Sequence, residues 1–177
     1  RVRADAILEK NNLMGVRFKN VPSFVYKIDG ELNINDLGRI KYDIAYGGAY
    51  YAIVNSEDVG LKCEPMYQRE LISIGMKIKN TIQSTIDLIC PIDNKNFNLY
   101  GTIFTGPPEY KSNHSRNVCV FADGQIDRSP TGTGVSARAA ILYERGKITL
   151  NEELIIESII GSTFKVSISE VNEEGSR

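Results

Sequence analysis

The sequence predicts an α+β fold, a curved and mostly antiparallel sheet wrapped around one buried central helix. Three observations carry this. Short alternating or continuously apolar runs recur along the chain between turn residues, as strands require. Leu71, Ile74, Ile78, Ile82 and Ile86 step by three and four residues, the spacing of an amphipathic helix with one buried face. Residues 135–143 are apolar almost all round, interrupted only by Ser136 and Arg138. A helix apolar on every face belongs inside a core, and a curved sheet would enclose it.

In chain order, residues 2–7 alternate and read as a strand. Lys10-Asn11-Asn12 is a turn, and Met14, Val16 and Phe18 alternate again, which is a hairpin signal. A third strand covers 24–28, closed by Asp29-Gly30, and a fourth covers 40–45. Gly47-Gly48 breaks the pattern before a short apolar strand over 51–54. Pro65 suits the first position of the amphipathic helix, Lys77, Lys79 and Asn80 mark its wet side, and Pro91 is expected to end it. A polar loop follows over 92–98. Apolar strands then cover 99–104 and 118–121, joined by a long polar connection over 106–117. Gly146 reads as the stop of the apolar helix. A last strand pair spans 154–160 and 164–170 around Gly161-Ser162, and the polar tail 172–177 is expected to fray.

The 177 residues suffice for one domain with a real core. With a formal charge of −1 and no basic stripe, nucleic acid and anionic membranes are not expected partners. No apolar run approaches membrane-spanning length and no signal-peptide pattern opens the chain, which points to a cytoplasmic protein. The first residue is Arg1, not Met, and it enters strand-like alternation at once, so the chain reads as a segment of a longer protein. Cys63, Cys90 and Cys119 are odd in number and lack CxxC spacing, which supports neither a disulfide framework nor a zinc site. Buried free thiols are the expectation.

The stretch that carries chemistry is Asp127-Arg128-Ser129-Pro130-Thr131-Gly132-Thr133-Gly134. Asp127 and Ser129 can bond nearby backbone, Pro130 sets φ, and two glycines let backbone approach a ligand. This turn opens the apolar helix, so it aims free N–H groups and the positive end of the helix dipole at whatever lies over it, most simply a carboxylate. The glycines alone fit capping and packing equally well. Residues 132–137 match GxGxxA, but residues 125–130 separate the match from its strand, and no Lys follows Gly134 as a Walker motif needs. Asp127 by itself reads as a loop brace. Phe121 reads as a core phenylalanine, His114 as a solvated surface residue, and Arg128 and Arg138 as internal salt-bridge partners.

Residues 127–138 closely resemble the signature of the proline racemase family, usually written DRSPCGTGTSAR. The blocks at 20–25, 43–52 and 99–103 resemble that family's blocks in the same order. Two departures stand out. Thr131 occupies the place of the signature cysteine, and the other catalytic block, MCGH, is absent. The resemblance implies a diaminopimelate epimerase-like fold with two lobes facing across a cleft, of which residues 1–177 are the second, C-terminal lobe, the MCGH block belonging to a first lobe outside this chain. It implies that Asp127 takes a substrate amine, that the amides of Gly132 and Thr133 take its carboxylate, and that Phe121 lies against its ring.

In the family two cysteines face each other across Cα, one thiolate removing the proton while the opposite thiol delivers another. An alcohol at Thr131 is far too weak an acid and base for that exchange near neutral pH. One thiol base can still complete a dehydration, and the branch with Thr here resembles trans-3-hydroxy-L-proline dehydratase, whose product is Δ1-pyrroline-2-carboxylate. No cofactor or metal is implied, the partner is a small proline-like amino acid, and a homodimer is compatible. The alternatives are a proline racemase or 4-hydroxyproline epimerase, and a non-catalytic binding protein for proline-like ligands.

Overall fold

The computed structural model describes residues 4–172, so the expectations for Val2, Arg3 and the tail beyond Asn172 lie outside it. The described elements are β1 (Ala4–Glu9), β2 (Asn12–Phe18), β3 (Phe24–Ile34), β4 (Gly38–Tyr46), β5 (Tyr50–Asn55), α1 (Gln68–Thr85), β6 (Gly101–Gly106), β7 (Ser115–Phe121), β8 (Gln125–Ile126), α2 (Gly132–Glu144), β9 (Leu154–Glu157) and β10 (Thr163–Val166). The β1–β2 hairpin stands apart as a two-stranded sheet. Its turn residues Lys10 and Asn11 both have positive φ, the twist that suits a two-residue hairpin.

The remaining strands form one sheet in the order β10-β9-β7-β6-β5-β4-β3, with β8 beside the end of β7. Neighbours are antiparallel except β5/β6 and β7/β9. Parallel neighbours need a crossover, and here α1 and α2 supply the two. The two parallel pairs run in opposite directions, so crossovers of one hand place the helices on opposite faces. Alternate strand residues divide accordingly. Ile44, Val54, Phe104 and Val120 meet Leu71, Ile78 and Ile82 of α1. Ala45, Ile53, Ile103 and Cys119 meet Ala137 and Ile141 of α2. Strands from both ends of the sheet, β3 and β10, reach α2, so the sheet curls around this helix as expected of the all-apolar segment. Each fully buried Leu or Ile contributes roughly 1.5–3 kcal/mol relative to exposure. Among the described residues no helix is long and apolar enough to cross a membrane.

Several boundaries differ from the sequence reading. β3 does not stop at Asp29-Gly30 but runs through it as a bulge to Ile34. Asp29 takes φ +52 with its N–H bonded to Asp43 Oδ1 at 2.9 Å, and the bare Cα of Gly30 lies against the Tyr42 ring. Pro65 opens a short 3-10 turn, Pro65–Tyr67, that leads into α1. That helix ends at Thr85, well before Pro91. The hydroxyls of Ser84 and Thr85 both donate to the Thr81 carbonyl, and such local bonds compete with helix continuation. The polar connection is shorter than expected, because β7 begins at Ser115 and buries Ser115, Arg116 and Asn117.

That burial is supported by pairing. Arg116 Nε donates to the fully buried Glu157 carboxylate at 3.0 Å, which also accepts from the N–H groups of Glu109 and Tyr110 and from Asn113. Burial pushes the Glu157 pKa up, but these four bonds outweigh it and hold the group below the usual carboxylate range. Among the described residues Arg138 makes no salt bridge, contrary to expectation. It donates to the Arg116 carbonyl and to Asn117 Oδ1 at 2.6 Å, and its desolvated guanidinium has a pKa lowered to about 10. Arg128 is exposed, and among the described residues its carbonyl accepts from Ser162 Oγ while its guanidinium makes no salt bridge. Cys63 and Cys119 are buried, whereas Cys90 is half-buried.

Candidate functional site

The segment from 127 to 134 is braced by three bonds within itself and tied to its surroundings by others. The Asp127 N–H reaches back to the Cys119 carbonyl at 3.0 Å, anchoring the turn to β7. Asp127 Oδ1 then accepts from the Ser129 N–H at 2.8 Å, an Asx turn, and Ser129 Oγ accepts from the Thr131 N–H at 3.2 Å. Thr131 Oγ1 donates to Asp127 Oδ2 at 2.8 Å. So Asp127 braces the loop through both oxygens, which is the plain reading of the residue in the sequence. Each oxygen retains lone-pair capacity, so the brace leaves room for a further donor.

Thr131 sits at φ +67 and ψ 103 immediately before α2. A β-branched residue with positive φ is an outlier, a conformation that costs on the order of 1–3 kcal/mol and persists only where its surroundings impose it. Its carbonyl accepts the Val135 N–H at 2.8 Å and starts the helix ladder. The N–H groups of Gly132 and Thr133 have no acceptor among the described residues. They are the orphan donors of a helix start, at the positive end of the dipole.

The start of α2 is pressed onto the β4–β5 turn. A Cβ at Gly47 would lie 2.2 Å from the Thr133 carbonyl and 2.5 Å from the Ala137 nitrogen, so only glycine fits there. Asn20 Nδ2 donates to the Gly47 carbonyl at 2.8 Å and secures the same turn from outside. The glycine pair that breaks the strand pattern is thus where helix and turn pack closely.

Asp127, Thr131, Gly132, Thr133 and Phe121 all line one pocket of about 500 Å³. Five further residues complete its wall: Phe18, Gly48, Ala49, Tyr51 and Tyr100. None of the five was a sequence candidate. Tyr51 and Tyr100 were read as strand residues, and the signal that could have found them is that both fall in blocks carrying the family resemblance. Phe121 stacks on Tyr100 with ring centroids 5.5 Å apart, and Tyr51 meets Tyr100 edge-on at 5.6 Å. Tyr51 Oη and Thr133 Oγ1 are hydrogen-bonded at 2.6 Å.

The pocket wall therefore places orphan N–H donors, a carboxylate and flat aromatic surface together. That set matches the carboxylate, ammonium and ring of a cyclic amino acid. Burial pushes the Cys119 thiol up to about 12, with a bond to Thr131 acting weakly in the opposite direction, and burial likewise pushes the Tyr51 phenol up. No three His, Cys, Asp or Glu side chains converge in a metal-binding group among the described residues. His114 lies outside the pocket lining, exposed, with Nδ1 against Ser115 Oγ at 2.7 Å.

A family profile described as Proline racemase matches residues 1–177. The chain is 43% identical over 166 residues to trans-3-hydroxy-L-proline dehydratase of Colwellia psychrerythraea, covering 94% of this chain and 47% of that protein. It is 35% identical over 171 residues to proline racemase of Clostridioides difficile, covering 96% and 50%. The crystal structure of a hydroxyproline epimerase from Agrobacterium vitis with bound trans-4-OH-L-proline superposes with a TM-score of 0.90 at 32% identity, covering 99% of this chain and 50% of that one. The chain thus spans about half the length of the relatives it matches.

Proposed function

The chain belongs to the proline racemase family, and we propose that it is the substrate-binding lobe of a cofactor-independent trans-3-hydroxy-L-proline dehydratase. The observation that carries this is Thr131. It stands where the family signature has a cysteine, at the mouth of a helix with free amides, and its hydroxyl is spent on Asp127. A side chain so placed holds the loop and has no proton to exchange with Cα.

In this reading the amides of Gly132 and Thr133 take the substrate carboxylate, Asp127 takes the ring nitrogen, and Phe121 and Tyr100 flank the ring. The base is a thiolate of the companion lobe. In the trans-3-hydroxy-L isomer the hydroxyl is trans to the carboxylate and therefore on the same ring face as the α-hydrogen. The thiolate takes that proton, the electron pair of the C–H bond forms the C2–C3 double bond, and the C3–O bond breaks. The departing hydroxide collects the proton from the thiol on the same face and leaves as water, which restores the thiolate. The enamine then tautomerises to Δ1-pyrroline-2-carboxylate. Every proton moves on one face, so the opposite face, where Thr131 lies, needs no acid.

The second reading, racemisation of proline or epimerisation of 4-hydroxyproline, is favoured by the racemase and epimerase names among the relatives. One experiment separates the two. Full-length protein is incubated with each hydroxyproline isomer and with proline, and cyclic imine and exchange of the α-proton are measured. Cyclic imine from the trans-3-hydroxy isomer is the expected result. Efficient racemisation of proline without imine would overturn the dehydratase reading, and no turnover with measurable binding would leave a non-catalytic binding protein.

A further inference from the structure

The Tyr51–Thr133 hydroxyl pair reaches across 82 positions of sequence and lies in the pocket wall. Two hydroxyls carry two protons, and a single O···O contact of 2.6 Å uses one of them. The other proton has no acceptor among the described residues. A phenol is the stronger donor and an aliphatic alcohol the better acceptor, so the proton in the contact is the one from Tyr51. The tyrosine has little freedom to choose otherwise. The residue is 1% exposed and its ring is met edge-on by Tyr100.

Thr133 is equally constrained. Its Cγ2 is seated over the bare Cα of Gly48, where an added Cβ would come within 2.8 Å of it. Its carbonyl is pinned against Gly47. With the methyl placed, Oγ1 faces Tyr51, and the remaining freedom is rotation of the O–H bond. Acceptance of the phenol proton turns that O–H away from Tyr51. The N–H of the same residue has no acceptor among the described residues, so Thr133 has two donors to offer a ligand.

We propose that Tyr51 is a positioning residue that holds the Thr133 hydroxyl outward, as a third donor to the ligand carboxylate beside the amides of Gly132 and Thr133. The inference rests on the amino-acid-binding reading of this pocket and adds to it a residue that acts through another. A carboxylate offers two oxygens with about four acceptor sites, so three donors are accommodated.

The test is a double-mutant cycle in the full-length protein, with pyrrole-2-carboxylate as the probe and calorimetry as the readout. Tyr51→Phe is expected to weaken binding several-fold, because the freed Thr133 hydroxyl rotates among several orientations. Thr133→Val is expected to weaken it by about tenfold or more, the loss of a hydrogen bond to a charged group. The double variant should be no worse than Thr133→Val alone, since Tyr51 has nothing left to position. Pyrrole-2-carboxamide, which lacks the charge, should discriminate far less between wild type and Tyr51→Phe. Thr133→Ser, which keeps the hydroxyl, should retain most of the affinity that Thr133→Val loses. Additive losses, an unchanged Tyr51→Phe, or an equal loss toward the carboxamide would each overturn the role of Tyr51. Should wild-type protein fail to bind pyrrole-2-carboxylate, the amino-acid reading itself falls and the inference with it, whereas binding by wild type with an additive cycle removes the inference alone.

Discussion

Asp127 has two duties in the structure and its proposed role adds a third, so replacing it must separate them. Alanine at 127 removes the acceptors of the Ser129 N–H and of the Thr131 hydroxyl, both at 2.8 Å. A hydrogen bond to a charged group is worth about 1.5–3 kcal/mol. Two such bonds at the lower end put the stability cost of Asp127→Ala near 3 kcal/mol. Asp127→Asn keeps Oδ1 for Ser129 and turns an NH2 toward Thr131, whose hydroxyl can reverse and accept. Its cost should be only about 1–2 kcal/mol, because neutral bonds replace charge-assisted ones. Toward the ligand the two variants should behave alike. Neither offers a carboxylate to the ring nitrogen, so both should lose about 1.5–3 kcal/mol of binding, roughly 10- to 150-fold in Kd. Denaturant unfolding reads the first effect and calorimetry with pyrrole-2-carboxylate the second. The reasoning is refuted if Asp127→Asn binds the probe as wild type does, for then the residue only braces the loop.

Three other outcomes are expected. Thr131→Cys puts a thiol at the start of α2, where the dipole favours its thiolate, and should bring measurable α-deuteration and inversion of proline-like substrates in heavy water; an intact variant with no exchange would show that residue 131 does not face Cα. Gly47→Ala forces a Cβ into the Thr133 carbonyl and the Ala137 nitrogen, both backbone. It should cost about 3 kcal/mol, the upper part of the overpacking range, and displace the amide cradle; wild-type stability and affinity together would contradict the close approach. The Glu157 carboxyl is held below its unfolded value of about 4.3. Its contribution is therefore complete above that pH and is lost as pH falls toward the lower folded value. Melting curves between pH 2.5 and 7 should show Glu157→Gln less stable at neutral pH with a flatter acid limb; parallel curves would count against the buried pairing with Arg116.

Much of the site was legible because it is local. Residues 127–131 brace one another through three short-range bonds, so Asx-turn chemistry, a fixed proline and two glycines describe the shape of the loop, though not the partners it meets. The all-apolar run of α2 announced its own burial, and Gly146 at φ +64 ends it as such a glycine does. Alternation located the β1–β2 hairpin, and short apolar runs between turn residues located strands of the larger sheet, since both patterns are written residue by residue.

What only the tertiary structure decided involves partners far apart in sequence. Arg116 and Asn117 look like loop residues until Glu157 accepts from the first and Arg138 donates to the second. Asp29-Gly30 carries the residues of a turn, but Asp43 and Tyr42 on the neighbouring strand turn it into a bulge. Arg138 was expected to find a carboxylate, and the curl of the sheet offered it a carbonyl and an amide. Tyr51 has no feature of its own to distinguish it from a core tyrosine, because its meaning lies in Thr133. Local rules constrain φ, periodicity and turn type, and these belong to each residue and its near neighbours. A buried polar group is set instead by whichever partner the completed sheet brings within 3 Å, and that is a property of the whole fold.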